Sequence, residues 1–233
     1  MSLAGAREFL LGAYHDLPNV LFMGSLVMGS ILGYLPLVWV SLGLIINGGI
    51  VSLLQGLLRL LFPTWDQVSM YAGSPACEVL GRSSTTMAPL RVGATTAVAP
   101  SHWLSATSFF SVFVIFNSLK VASRDSARGA NADKVSARHA FSLSVALVGL
   151  VFLGITMARG FSGCETWLGG SLGVGLGALY AIAYWYFLDL CGTGRGPDVL
   201  QVTASLEPSA KTDPTPIVCA PVASNGEDCV AKL

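Results

Sequence analysis

Long apolar stretches alternate with short polar ones along this chain. From Leu17 to Leu58 no charged residue occurs. Such a run is too long for one membrane crossing of about 20 residues and right for two. "GYLP", Gly33 to Pro36, is the natural break, because Gly and Pro punctuate helices; it divides the run into spans near 18–35 and 38–62. The segment 63–100 that follows is polar, holds several prolines, and contains no apolar run long enough to cross. A third span is expected from about Trp103 to Val121, a fourth near 140–158, and a fifth over 166–188, "TWLGGSLGVGLGALYAIAYWYFL". "RGFSGCE" joins the last two as a tight polar hairpin. Residues 1–17 form an N-terminal segment. The stretch 191–233, rich in Pro, Ser, Thr and Asp and without periodicity, reads as a disordered tail. The expected fold is all-α: a multi-pass transmembrane bundle of about five spans over 18–190.

Composition supports that class. Hydrophobic residues make up 53% of the chain and charged residues 11%, against about 25% charged in a soluble domain; mean hydropathy is +0.65. A formal net charge of zero gives nucleic-acid binding no electrostatic footing. Glycines lie inside the apolar runs, and Gly169, Gly173 and Gly177 have the small-xxx-small spacing of a close helix–helix contact. The five cysteines, at 77, 164, 191, 219 and 229, form no Cys-x-x-Cys pair, so no zinc site is expected; no metal or other cofactor is assigned. The first apolar run follows Arg7, Glu8, His15 and Asp16 and is too long for a signal core, so no cleavable signal is expected. The spans lack the internal acids, bases or arginine series of a channel or transporter.

Loop charge sets the expected orientation. Lys120, Arg124, Arg128, Lys134 and Arg138 cluster in one region, whereas 63–100 holds only Arg82 and Arg91. The basic loop 122–138 and the C-terminal tail should therefore face the cytoplasm, in an endomembrane or the plasma membrane. Segment 63–100, hairpin 159–165 and the N-terminus fall on the other side. Cys77 and Cys164 then share the non-cytoplasmic side, either as a disulfide or as two free thiols. Cys191, just past the last span, is a candidate palmitoylation site.

Candidate chemistry lies at span ends. Arg59 and Pro63 close the second span; Pro100, Ser101 and His102 open the third; Arg159 to Glu165 join the fourth and fifth. The number of crossings puts all three groups on one membrane face. A histidine supplies acid or base chemistry near neutral pH. Ser101 at a helix start, with its free N–H groups, favours an anion. Arg159 and Arg59 add charge-assisted bonds to phosphate. The plainer reading has the arginines and Glu165 snorkelling to the interface and His102 standing beside Trp103 as an aromatic-belt residue.

In order and spacing these sites resemble the type-2 phosphatidic acid phosphatase superfamily, over roughly Ile46 to Tyr186. Its motifs read K-x6-R-P, P-S-G-H and S-R-x5-H-x3-D. "ARGFSGCETWLGGSLGVGLGA" keeps Arg159 at the family's arginine, with Gly163, Gly173 and Gly177 on common glycines; "PSHW" looks like the second motif without its Gly. The resemblance implies a helical bundle acting without metal on lipid phosphates or isoprenoid pyrophosphates. It assigns His102 and Glu165 to catalytic positions and Ser101, Arg159 and Arg59 to phosphate binding. The departures are large. Glu165 stands at the nucleophilic histidine, Gly169 at its orienting aspartate, Gln55 at the first-motif lysine and Phe62 at its arginine. His139 lies at the far end of the fourth span and cannot substitute. Three readings follow: a catalytically degenerate bundle that binds lipid phosphates or acts as a membrane scaffold; an active variant phosphatase; or an unrelated structural multi-pass protein. Membrane lipids are the expected partners.

Overall fold

The computed structural model describes residues 10, 12–14, 16–65, 99–124, 132–161, 165–191, 218–219 and 229–230. Helix α1, Leu17–Ile31, stops where the glycine demands it. Gly33 adopts φ 62°, a left-handed conformation open to glycine. Tyr34 N–H then reaches back to the Gly29 carbonyl at 2.7 Å and Gly33 N–H to Ser30 at 3.3 Å, the paired bonds of a Schellman stop. Pro36 lies in the first turn of α2, Leu35–Leu61, where its missing N–H costs nothing. The break read from "GYLP" is therefore a helical hairpin.

Helix α3, His102–Ala122, starts at the N-cap Ser101, whose hydroxyl accepts from Leu104 N–H. Helix α4, Ala132–Phe161, and helix α5, Trp167–Cys191, follow. In the tail, Val218–Cys219 pairs antiparallel with Cys229–Val230.

The close approaches fix the direction of each helix. Asn47 meets Ser105 and Gln55 meets Pro100, while Arg138, Gly149 and Arg159 meet Arg124, Ile115 and Trp103 in turn, so α2 and α4 run against α3. Gly173 abuts Ser101 and Gly177 abuts Ser105, so α5 runs parallel to α3. The α1–α2 hairpin makes α1 parallel to α3 as well. Helix α3 is the hub, packed against α5, α4 and α2. Val40, Leu44, Phe109, Phe113, Ala181 and Tyr184 form the apolar core around it. Thr107 and Ser111 donate to carbonyls one turn back, Ser108 donates to Val174 O, and Ser105 exchanges bonds with Asn47, while the buried Ser118 hydroxyl has no hydrogen-bond partner among the described residues. Apolar surroundings favour such pairing.

Four helices, α2 to α5, are long and apolar enough to cross a membrane, and the chain is a membrane-embedded helical protein. The expected first span falls short of that standard, because α1 has 15 residues between its proline start and its glycine stop. The fourth helix differs in the other direction. It begins at Ala132, inside the stretch read as the basic loop 122–138. "ADKVSARH" holds no helix breaker, and Asp133 in the first turn suits the positive end of the helix dipole. Arg138 is consequently a buried helix residue, donating to the Arg124 carbonyl at 2.7 Å. Cys77, Cys164 and most of segment 63–100 lie outside the described residues, as does most of the tail. Cys191 is a free, exposed thiol.

Candidate functional site

The antiparallel order of the helices gathers the ends of α2 and α4 and the starts of α3 and α5 at one end of the bundle. Three polar groups separated by long stretches of sequence meet there. Gln55, near the end of α2, donates from Nε2 to the Pro100 carbonyl at 2.7 Å. Its Oε1 lies 3.3 Å from His102 Nε2, and Ser52 Oγ lies 3.4 Å from the same nitrogen. Trp65, just past α2, donates its indole N–H to the Ala99 carbonyl at 2.9 Å. The turn that starts α3 is thus clamped by α2; its Ala99–Pro100 peptide is cis.

The other side of that turn faces α5. Ser101 N–H donates to the Gly169 carbonyl at 3.0 Å. A Cβ on Gly173 would stand 2.7 Å from the Ser101 carbonyl, and one on Gly177 would collide with the Ser105 carbonyl. These glycines let two backbones approach, which is why the start of α3 lies so close to Glu165, just before α5.

Arg159 and Glu165 occupy the space so enclosed. Arg159 Nε is 3.3 Å from Glu165 Oε1, with side-chain exposures of 1% and 3%. The guanidinium also stacks on Trp103, its Cζ 4.7 Å from a ring centroid. Tyr14 packs against the same indole, with centroids 5.2 Å apart. Burial pushes the Glu165 carboxyl above its ordinary range; the Arg159 charge and hydrogen bonds from Ser101 and Arg159 pull the other way without overcoming it. Burial likewise raises the Tyr14 phenol, opposed by Arg159. The Ser101 hydroxyl therefore caps α3 and bonds Glu165.

Of the residues singled out from sequence, Ser101, Arg159 and Glu165 form one buried cluster, and His102 stands beside it on Gln55 and Ser52. Arg59 is half-buried in the last turn of α2, one turn past Gln55. His139 belongs to the start of α4, at the opposite end of that helix from Arg159. Sequence reasoning missed Trp103 as the stacking partner of Arg159, Tyr14 beyond it, and Gln55 as a clamp. The adjacency of His102 and Trp103 was a visible signal, but which way the indole turned was not. Among the described residues no cluster of three His, Cys, Asp or Glu side chains could hold a metal.

Comparison with known proteins gives no matching family model, no matching curated protein and no matching solved structure.

Chemically, the cluster is an anion seat with its anion already installed. A buried arginine, a serine hydroxyl and a helix start are the groups that would hold a phosphate. Here the Glu165 carboxylate takes the arginine and the hydroxyl.

Proposed function

We propose that this chain is a phosphatidic-acid-phosphatase-like membrane bundle that no longer hydrolyses phosphate esters and acts as a membrane scaffold. The observation that carries the reading is the buried Arg159–Glu165 pair. A phosphate dianion approaching Arg159 would have to displace the carboxylate or sit beside a like charge. With Gln55 and Phe62 at the positions of two expected cations, little remains to offset that repulsion. Losing one preorganised charge-stabilising donor costs about 3–4 kcal/mol in such reactions, and several losses together leave negligible turnover. His102, the leaving-group acid that the resemblance implies, has its Nε2 beside Gln55 and Ser52, and such an acid does nothing without a nucleophile.

The experiment is phosphate release by the detergent-purified chain offered phosphatidate, a sphingoid phosphate and a prenyl pyrophosphate, beside a His102→Ala control. No release above the control is expected. Release that disappears in the control would overturn the reading and establish a variant phosphatase, with Glu165 the next residue to test.

A further inference from the structure

At the end of the bundle away from Arg159, three aromatic rings surround a cation. Lys120, near the end of α3, has its Nζ 5.3 Å from the Phe116 ring centroid, 5.7 Å from Trp185 and 5.6 Å from Tyr186. Two of the three ring pairs stand nearly at right angles. Phe116 and Trp185 meet at 85°, Trp185 and Tyr186 at 87°, and Phe116 and Tyr186 at 61°. Their centroids are 5.2, 5.4 and 5.6 Å apart. Three mutually steep ring planes make the corner of a box, and each presents its negative face to whatever occupies the corner.

The box is built firmly. Trp185 is 5% exposed, and its indole N–H donates to Asn117 Oδ1 at 3.3 Å, which fixes the ring. The parallel packing of α3 and α5 brings Phe116 level with Trp185 and Tyr186. Lys120 is different: it is a long, half-buried side chain at a span end. Lysines there ordinarily snorkel outward toward water. This one folds back over Phe116, one turn earlier, so the box draws a cation inward from the interface. Tyr186 is 46% exposed on the outer face of the bundle, which leaves one wall open to the surrounding lipid.

We propose that the Phe116–Trp185–Tyr186 box is a site for the quaternary ammonium of a choline-type lipid headgroup, and that Lys120 is its tethered occupant when no lipid is bound. A trimethylammonium suits aromatic walls better than a primary ammonium, because it is more weakly hydrated and needs no hydrogen-bond acceptor. The lipid is the committed source, since the box opens at the end of spanning helices through an exposed tyrosine. When the headgroup enters, the Lys120 stem swings out and its ammonium reaches the phosphate of the same headgroup.

The test uses the full chain in nanodiscs of phosphatidylglycerol doped with short-chain phosphatidylcholine or phosphatidylethanolamine, with retained lipid counted by native mass spectrometry. Wild-type protein should retain phosphatidylcholine over phosphatidylethanolamine by about fivefold. Lys120→Ala should preserve that preference, because the walls remain and the competitor is gone. Tyr186→Leu, at a partly exposed position, should abolish it while leaving the thermal unfolding midpoint near wild type; Phe116→Leu should do the same. Equal retention of the two lipids by the wild type and by Lys120→Ala would overturn the proposal. So would a choline preference that survives Tyr186→Leu, or displacement of the lipid by free choline at comparable concentration, which would make the ligand a soluble amine.

Discussion

At the scale of single residues, Glu165 decides how the polar end behaves. Its carboxyl is shifted upward by burial despite the neighbouring arginine, so the native chain holds that proton more tightly than the unfolded chain does. The contribution of this group to stability is therefore full in acid, below the ordinary carboxylate range, and is lost as pH rises through its native value. Thermal unfolding in detergent should show a midpoint that falls across that window, and Glu165→Gln should flatten the fall. A profile unchanged by the substitution would assign the dependence to other groups. Arg159→Met is expected to be harsher. Removing one member of a buried ion pair strands the other, at about 3–5 kcal/mol, and here the stack on Trp103 goes too. The residues of this cluster were legible in the sequence as polar groups at span ends. Their pairing was not: the order of residues does not reveal whether Glu165 turns toward Arg159 or toward a ligand, because that depends on how closely α5 approaches the start of α3.

At the scale of helices, that approach is set by glycine. Gly177 faces the Ser105 carbonyl, and Gly173 faces Ser101, while Gly175 on another side of the same helix has nothing within 4 Å. Gly177→Ala should lower stability by about 1–3 kcal/mol, the usual penalty for overpacking, and Gly175→Ala should leave it near wild type. Chemical or thermal unfolding of the two variants side by side checks this; equal effects would mean that helix propensity, not the close contact, is responsible. The small-xxx-small spacing gave the packing face of α5 without any structure. The start of α4 escaped because basic residues were weighed as loop charge, whereas a helix can extend past the bilayer when no Gly or Pro halts it. Phe116 and Lys120 are visibly one turn apart in sequence, but the two rings that complete their box belong to α5 and needed the parallel register.

At the scale of the whole molecule, one end gathers the close of α2, the start of α3, the close of α4 and the start of α5. In a cysteine-free background, single cysteines at Thr64 and Thr166 should be labelled by an impermeant maleimide from the same side of a sealed vesicle, and one at Ser123 from the other. Labelling of the first two from opposite sides would dismantle the bundle as described. The four long apolar helices and the Gly33 hairpin were readable from hydropathy and punctuation alone. The central place of α3 was less so, since a helix with many hydroxyls looks peripheral until its neighbours are known.

That central place has a consequence for how the protein is made. Helices α3 and α5 are less hydropathic than α2 and α4, at 1.5 and 1.4 against 2.1 and 2.2, and Ser105, Ser108 and Asn117 of α3 meet α5 directly. Yet α5 is synthesised after α3. The nascent chain must shelter an ill-suited segment at the insertion machinery until α5 emerges. A chain cut short before Trp167 would present that hydroxyl-lined face to acyl chains and become a substrate for membrane quality control.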